Sequence, residues 1–399
     1  MALKPIYAVG LDAGSRKTRM AICLMAGESV RLLGCASVDS EGWLKGRIVN
    51  QKALSESILA VLREAEACAG VSVESAVVGV GGPTLRGANG RGVVELGPVR
   101  EIDQRDVNRV VDRASRVQLQ EDRMVLQLYP QDFVVDDHPG HHDPRRMPAS
   151  RLEINVHLVT GSVQEHSALV GAVNLAHLGV EETIFEAQAA CYAAVRPEDR
   201  RDGVALVDIG GESTEMVVYY GDAVYLASTV RVCGDHFTND LASGLIISQG
   251  DAETVKLEYG FAKAEHTPEN AWVELPTPEG REFRQARRKT IDLILESRAN
   301  DLFKQVRSEL ARVGMENALL GGVFLAGGGA KLPELLDVAD RELHCQSRFG
   351  LAVGIRDWPK SLNDPEWCTV AGLAMYSAKL KLHMERQRQT FGWLGRILK

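Results

Sequence analysis

The alternation of apolar and polar residues in the first eighty positions predicts four strands and one helix. The strand-like stretches lie at 6–12, 18–24, 31–38 and 75–80. A polar Gly-Ser-Arg-Lys turn at 14–17 joins the first two stretches, which predicts a β-hairpin. Between 52 and 69, apolar residues recur at helical spacing. Strands that alternate with a helix indicate an α/β layer.

A later region of the chain repeats this pattern. Its strand-like stretches lie at 203–209, 215–220 and 223–230. A glycine-rich turn at 210–214 joins the first two of them, and the aspartates that precede the two turns, Asp12 and Asp208, are 196 positions apart. We therefore predict two similar α/β halves that face each other.

Two segments interrupt the halves. Residues 83–160 are punctuated by prolines and predict an inserted α+β subdomain with one helix near 103–117. The strands predicted in this insertion lie at 124–129, 133–136 and 151–160. A second insertion, at about 240–310, combines helical stretches with a polar loop at 264–280.

Composition indicates a globular protein and limits its partners. Of 399 residues, 45% are hydrophobic and 25% are charged, and the formal net charge is -8. This balance argues against a nucleic-acid partner, because proteins that bind phosphate backbones usually carry a basic face. The seven cysteines are scattered without CxxC spacing, and the first residues have neither the apolar core nor the cleavage site of a signal peptide. We therefore expect reduced thiols in a cytoplasmic protein.

Three glycine-rich motifs carry the candidate chemistry. They read DAGSRK at 12–17, DIGGEST at 208–214 and LAGGGAKL at 325–332. Turns of small residues expose backbone N–H groups to phosphate oxygens, and an aspartate at a strand end can hold hydrated Mg²⁺. Two such hairpins can clasp the phosphates of a nucleotide from both sides. The third motif suits close contact between the backbone and a flat ring or a phosphate.

The ordered set resembles the phosphate 1, phosphate 2 and adenosine motifs of the actin-like ATPases, and within that superfamily the chain resembles the FtsA family of bacterial cell-division proteins. The strings that carry the FtsA resemblance are QLYPQDFVVDD at 127–137, DPRRMPASRLEINVHLVT at 143–160, CGDHFTNDLA at 233–242, GDAETVKLEYG at 250–260, ILESRANDLF at 294–303 and NDPEWCTVAGLAMYS at 363–377. The resemblance covers most of the chain. It implies an α/β, actin-like ATPase fold, with two α/β core domains around a nucleotide cleft and an FtsA-type inserted α+β subdomain.

The same resemblance divides the chain into five parts. They are core domain 1A at 1–83, 162–202 and 356–380, inserted subdomain 1C at 84–161, core domain 2A at 203–243 and 311–355, subdomain 2B at 244–310, and a linker with a C-terminal amphipathic helix at 381–399.

The resemblance also implies a site for ATP and Mg²⁺. The residues that would border the nucleotide are Asp12, Gly14, Ser15, Arg16, Lys17, Asp208, Gly210, Gly211, Ser213, Thr214, Gly234, Glu253, Lys256, Gly327, Gly328 and Gly329. Of these, Asp12 and Asp208 would hold Mg²⁺ through water. Glu186 matches the position of an acid that faces the γ-phosphate in many members, which makes it the candidate for orienting an attacking water. The alternative for Glu186 is an acid favoured by the dipole at a helix N-terminus.

Glu212 departs from the family pattern, which has a third glycine at this position of the second motif. A carboxylate beside anionic phosphates would disfavour ATP. Two outcomes stay open: either Glu212 points outward and is harmless, or it lowers nucleotide affinity and turnover. Cys233 replaces another family glycine, which is a milder change.

The far C-terminus predicts an amphipathic helix. At roughly 100° per residue, the bulky apolar residues from Phe391 onward share one face. The residues expected to contact lipid are Phe391, Trp393, Leu394, Arg396, Ile397, Leu398 and Lys399. Residues 381–399 hold five basic residues and one acidic residue, a formal +4, so the total of -8 leaves -12 on residues 1–380. Such a helix suits an anionic lipid surface, and FtsA members use one at the inner membrane. The alternative is a helix that packs on the core or on a partner.

The resemblance implies an ATP-binding protein that polymerises on the inner membrane at the division site, tethers filaments of the tubulin-like protein FtsZ and recruits later division proteins through residues 84–161. FtsA members receive the C-terminal peptide of FtsZ on the second inserted subdomain, which makes Arg298 a candidate contact. Hydrolysis of ATP to ADP and phosphate would be slow at most. Two alternatives stay open: a phosphohydrolase resembling exopolyphosphatases, whose second phosphate motif is close to DIGGESTEMVV, and a scaffold resembling the pilus-assembly protein PilM.

Overall fold

The first elements of the chain follow the predicted pattern. A computed structural model describes residues 5–27, 29–221, 223–275 and 284–397, with side chains described as far as residue 385. The first elements are β1 (Ile6–Ala13), β2 (Lys17–Ala26), β3 (Ser29–Asp39), β4 (Trp43–Leu44), β5 (Arg47–Ile48), α1 (Gln51–Ala69) and β6 (Ser75–Val80). The predicted strands and helix are confirmed, and the short β4–β5 hairpin is an element that the apolar pattern did not reveal.

The inserted segment forms a four-stranded antiparallel sheet with one helix. Its elements are β7 (Arg86–Glu101), α2 (Gln104–Ser115), β8 (Arg123–Val135), β9 (His138–His141) and β10 (Pro148–Ser162), and the strands lie in the order β7-β10-β8-β9. The two strands predicted between 124 and 136 are one continuous strand, β8. Strand β7 was not predicted, because its glycines interrupt the apolar alternation. A Cβ at Gly92 would lie 2.1 Å from the Val110 carbonyl oxygen, so α2 crosses β7 where only glycine leaves room.

The remaining elements complete the first half and build the second. They are α3 (Val163–Leu175), β11 (Gly179–Phe185), α4 (Glu186–Ala194), α5 (Pro197–Arg201), β12 (Val204–Ile209), β13 (Thr214–Tyr220), β14 (Ala223–Val230), α6 (Gly234–Leu245), α7 (Gln249–Tyr259), β15 (Trp272–Leu275), β16 (Arg284–Arg287), α8 (Arg288–Arg312), β17 (Val323–Ala326), α9 (Leu335–Leu343), β18 (Ser347–Phe349), β19 (Ile355–Arg356) and α10 (Cys368–Ile397). Short 3₁₀ turns occupy Gly328–Lys331, Lys360–Leu362 and Pro365–Trp367.

The two main sheets have the same topology. The first runs β11-β6-β1-β2-β3-β19, and the second runs β14-β13-β12-β17-β18. In each sheet the first strand in sequence pairs antiparallel with the next strand on one side and parallel with a later strand on the other side. The prediction of two similar α/β halves is therefore confirmed, and β19 is an addition at the edge of the first sheet.

Helix α10 packs on the first half and forms one wall of its core. A Cβ at Gly372 would lie 1.7 Å from the Ala189 carbonyl oxygen, so α10 and α4 approach more closely than any larger residue would permit. Near the end of the packed portion, Lys381 Nζ donates to the carbonyl oxygen of Tyr7 and forms an ion pair with Glu181 at 2.8 Å. The backbone of α10 is helical through Ile397.

The predicted C-terminal amphipathic helix lies mostly outside the residues whose side chains the structure describes. Residues 377–390 are helical, so α10 continues through the start of the segment 381–399, where the resemblance implies a linker. The lipid-contact predictions for Phe391, Trp393, Leu394, Arg396 and Ile397 concern side chains outside the described set, and Leu398 and Lys399 lie outside it entirely. In the part of the chain that the structure describes, no helix is both long and apolar enough to cross a membrane.

Candidate functional site

A cavity of about 410 Å³ lies between the two halves. The β1–β2 turn, the β12–β13 turn, the start of α6, part of α7 and the glycine turn after β17 line it. The predicted nucleotide-site residues that line the cavity are Asp12, Gly14, Ser15, Arg16, Lys17, Asp208, Gly210, Gly211, Ser213, Gly234, Glu253, Lys256, Gly327, Gly328 and Gly329. Thr214 does not line it: this residue is fully buried in β13, and its hydroxyl has no hydrogen-bond partner.

The two hairpin turns meet at the mouth of the cavity. A Cβ at Gly211 would lie 2.4 Å from Cγ of Arg16, so glycine is required for the Arg16 side chain to cross this turn. Arg16 donates to both carboxylate oxygens of Asp235, from Nε at 3.2 Å and from Nη2 at 2.6 Å. The Asp235 amide in turn donates to the Gly211 carbonyl oxygen at 2.8 Å. The two glycine turns are therefore joined by direct contacts between the halves, and their clasp of nucleotide phosphates stays a prediction.

Four carboxylates belonging to Asp12, Glu186, Asp208 and Glu215 share the cavity wall. Burial raises the pKa of Asp12 to about 7, although nearby Arg19 lowers it, and burial with the Asp208 charge raises the pKa of Glu215 to about 7. Burial, followed by the charges of Asp12, Glu215 and Asp208, raises the pKa of Glu186 well above its ordinary value. Each ionised carboxylate disfavours the ionisation of its neighbours, and a bound cation would offset this repulsion. The wall is therefore suited to a cation.

Asp208 is held by the first half. The hydroxyl of Thr369, at the start of α10, donates to Asp208 Oδ2 at 2.5 Å. Burial raises the pKa of Asp208, and the Thr369 hydrogen bond lowers it. On its other side Asp208 faces the third motif, since a Cβ at Gly327 would lie 2.3 Å from Asp208 Oδ1. Gly327 has φ +82°, which L side chains rarely adopt, so both space and backbone require glycine here.

Glu186 lies where both of its interpretations place it, and its role toward an attacking water stays a prediction. It is the first residue of α4, where a carboxylate is favoured by the helix dipole, and it also lines the cavity. A Cβ at Gly81 would lie 2.1 Å from Glu186 Oε2. The carboxylate therefore lies over the segment by which the chain leaves β6 for the insertion.

The charged residues of the site that sequence reasoning missed include Arg19 and Glu215. Strand register pairs Asp12 with Arg19 and Asp208 with Glu215, and each partner lies seven positions after its aspartate. Drawing the register of the two predicted hairpins would have found both. Arg19 Nη2 donates to Glu366 Oε2 at 2.8 Å, and Glu215 Oε1 accepts from the Gly82 amide at 2.7 Å. Thr369 carries no comparable signal, because its contact with Asp208 is not local in sequence.

Glu212 lies at the rim of the cavity. Its Oε2 atom accepts a hydrogen bond from the amide of Gly46, which lines the cavity, at 2.8 Å. The hydrogen bond to Asp235 and the charges of Asp235 and Glu212 raise the pKa of Arg16, so both outcomes predicted for Glu212 stay open.

Three of the residues predicted to border the nucleotide, Gly234, Glu253 and Lys256, belong to a hydrogen-bond network on the second half. Lys256 Nζ lies 2.7 Å from Glu253 Oε2 and donates to Thr238 Oγ1 at 2.8 Å. Glu253 also accepts a hydrogen bond from the Thr238 hydroxyl. The Gly234 amide donates to the Gly210 carbonyl oxygen at 2.9 Å, which joins this network to the second glycine turn.

Arg298, the predicted contact for a partner peptide, is engaged within the chain. Its Nε and Nη2 atoms donate to the two carboxylate oxygens of Asp240 at 2.7 and 2.9 Å. Two more exposed arginines precede α8. Arg284 donates to the carbonyl oxygens of Leu245 and Ile246 at 2.9 and 3.1 Å, and Arg287 stacks over the exposed Trp272 ring at 5.5 Å.

No direct metal cage is present among the residues that the structure describes, since no three His, Cys, Asp or Glu side chains there are arranged to hold an ion. The carboxylate wall thus fits a cation held through water better than one ligated directly.

Comparison with known families and proteins agrees with the predicted resemblance. A model of the family described as cell division protein FtsA matches residues 205–372, and a model of the SHS2 domain inserted in FtsA matches residues 82–160. Cell division protein FtsA of Pseudomonas aeruginosa is 31% identical over 373 residues, which span 92% of this chain and 88% of that protein. FtsA of Borreliella burgdorferi is 30% identical over 375 residues, spanning 92% and 90% of the two chains.

Solved structures with the same fold include two actin-like proteins. The PilM-PilN type IV pilus biogenesis complex contains a chain with a TM-score of 0.69 and 17% identity, covering 94% of this chain and 99% of that one. MreB 5 of Spiroplasma citri bound to AMPPNP has a TM-score of 0.56 and 14% identity, covering 97% and 100%. The predicted actin-like fold class is confirmed, together with the inserted domain of the FtsA type.

Proposed function

The chain belongs to the FtsA family of cell division proteins, and we propose that it is an ATP-binding member that polymerises on the cytoplasmic face of the inner membrane at the division site. The observation that carries the proposal is the cavity between the halves. Two glycine turns and a third glycine-rich turn line it, and four carboxylates share one wall. Family membership argues against the exopolyphosphatase-like and PilM-like alternatives.

ATP would enter with its phosphates between the two hairpin turns. The backbone N–H groups near Gly14 and Gly211 and the side chains of Arg16 and Lys17 would meet the phosphate oxygens. The ribose and adenine would lie toward Glu253, Lys256 and the glycines at 327–329. When bound with the nucleotide, Mg²⁺ supplies positive charge that offsets both the phosphates and the carboxylate wall. Asp12 and Asp208 would hold the waters around it.

Glu186 is the residue proposed to orient water for hydrolysis. Its pKa is raised well above the ordinary value, so the protonated carboxyl is favoured until a cation enters the cavity. We propose that hydrolysis is slow and serves assembly, because Glu186 is the single acid proposed here to orient the attacking water.

The partners are proposed from family membership. The C-terminal helix would anchor the protein to anionic lipid, and polymerisation would join many weak anchors into a stable attachment.

The C-terminal peptide of FtsZ would bind the second inserted subdomain. Arg298 is paired with Asp240, and Arg284 donates to two backbone carbonyl oxygens. The exposed Arg287 is therefore the better candidate for first contact with the peptide. The insert at 84–161 would receive later division proteins.

Nucleotide binding is tested by titrating a fluorescent ATP analogue in the presence of Mg²⁺ or EDTA. We expect Asp208→Asn to lower affinity at least about tenfold with Mg²⁺ and to remove the difference between Mg²⁺ and EDTA, because the variant keeps shape but loses charge. Asp137→Asn, at a carboxylate with an 80% exposed side chain in the insert, is the matched control. A wild-type protein that binds no nucleotide would refute the proposal.

Membrane attachment is tested by co-sedimentation with vesicles that contain anionic lipid. Removing residues 389–399 should abolish co-sedimentation while nucleotide binding is retained. Unchanged sedimentation of the shortened protein would overturn the anchor assignment.

A further inference from the structure

Glu212 makes a contact between the halves. The glycine that the family pattern has at this position could not make it, because glycine has no side chain. It lies in the β12–β13 turn of the second half, and its carboxylate accepts from the Gly46 amide at 2.8 Å. Gly46 is at the tip of the β4–β5 hairpin, which belongs to the first half. This single hydrogen bond therefore spans the mouth of the cavity.

The hairpin tip is shaped for this contact. Gly46 has φ +70°, in the region that favours glycine. A Cβ added there would lie 2.6 Å from Pro83 Cδ and 3.4 Å from the Glu212 carbonyl oxygen. The tip thus packs directly against both the segment that enters the insertion and the second glycine turn, which holds the Gly46 amide in line with the carboxylate.

The Glu212 bond differs from the Arg16–Asp235 pair in its relation to a nucleotide. Arg16 lines the cavity, so phosphates would compete with Asp235 for its guanidinium. Glu212 instead bonds the neutral backbone amide of Gly46, which offers no positive charge for a phosphate to compete for. We therefore expect the first contact to depend on the ligand and the second to persist when the ligand binds.

We propose that Glu212 is a positioning residue that holds the two halves together at the cavity mouth before nucleotide binds. The inference rests on the proposed nucleotide-binding function and adds a regulatory property to the same site. A protein that is already closed when it meets its ligand binds more tightly, because less of the binding free energy is spent on closing. Glu212, whose charge alone would disfavour ATP, would then favour ATP binding by holding the two halves together.

The contact itself is tested without nucleotide, by hydrogen–deuterium exchange in peptides covering residues 43–48. Glu212→Met keeps the length of the side chain and removes the acceptor, while Glu212→Gln keeps an acceptor and removes the charge. We expect exchange to be about fivefold faster in the Met variant, the effect of losing one hydrogen bond, and to change less than about twofold in the Gln variant. Equal rates in all three proteins, or equal acceleration in both variants, would overturn the contact.

Preorganisation is tested by the affinity of the same three proteins for the fluorescent nucleotide with Mg²⁺. We expect the Met variant to bind about threefold to tenfold more weakly than wild type, and the Gln variant to recover most of the loss. Equal affinities of the Met and Gln variants would overturn the positioning role. If wild type binds no nucleotide, the proposed function fails, and the exchange experiment still decides whether Glu212 joins the halves.

Discussion

The two glycine hairpins of the molecule share a backbone and differ in charge. β1–β2 and β12–β13 have the same pairing, and the 196-position offset that relates Asp12 to Asp208 also relates Arg19 to Glu215. The first hairpin thus places a cation beside its aspartate, where the second places another acid. At the tips the contrast repeats, with Arg16 in the first turn and Glu212 in the second.

This difference makes the halves complementary. Arg16 reaches from the first half to Asp235 in the second, and Glu212 reaches from the second half to the Gly46 amide in the first. Two copies of one hairpin with identical charges would repel at the cavity mouth. The two hairpins share a backbone pairing while their side chains differ, so that each hairpin contacts the opposite half.

The largest expected effect belongs to Arg19→Met, which removes the cation that distinguishes the first hairpin from the second. Arg19 is 9% exposed and pairs with Glu366 while it offsets the Asp12 charge. Its removal leaves buried acids without a cation, so we expect the free energy of unfolding in urea to fall by about 3–5 kcal/mol at pH 7. Adding Glu366→Gln should restore part of the loss. A decrease below about 1 kcal/mol would show that Arg19 does not offset the acids.

The matching change in the second hairpin, Glu215→Gln, should have the opposite sign. The folded pKa of Glu215 is about 7, above its ordinary value of 4.5, so the wild-type protein loses stability as pH rises from about 4.5 to 7. The amide keeps an acceptor for the Gly82 N–H group. We expect Glu215→Gln to stabilise the nucleotide-free protein by about 1–3 kcal/mol at pH 8 and by little at pH 5. Equal effects at both pH values in urea unfolding would contradict the raised pKa.

The smallest expected effect on stability belongs to Arg16→Gln. The Arg16 side chain is 63% exposed in its pair with Asp235, so the pair contributes at most about 1 kcal/mol and is weakened by salt. Urea unfolding at low and high salt measures this difference, which should vanish near 1 M salt. A larger effect that persists at high salt would mean that the Arg16–Asp235 pair stabilises the contact between the hairpins more than Arg19 does.

Local patterns in the sequence were sufficient for the strands, the turns and the two-half architecture. β7 was missed because its glycines serve the close crossing of α2, which is a tertiary requirement invisible in the local pattern. Glu215 and Arg19 were within reach, since the hairpin register places them opposite the aspartates. The Gly46 and Thr369 contacts were out of reach, because they join residues separated by 166 and 161 positions and depend on how the halves meet.

Helix α10 is one continuous helix that links the Asp208 contact to the last described residues. The helix begins at the residues that hold Asp208, and its backbone runs unbroken to Ile397. At about 1.5 Å per residue, Thr369 and Ile397 are about 42 Å apart along the axis. Because α10 packs on the first half as far as Lys381, it would move together with that half. A rotation of about 10° between the halves around the Asp208 contact would displace the far end of α10 by about 7 Å relative to the second half.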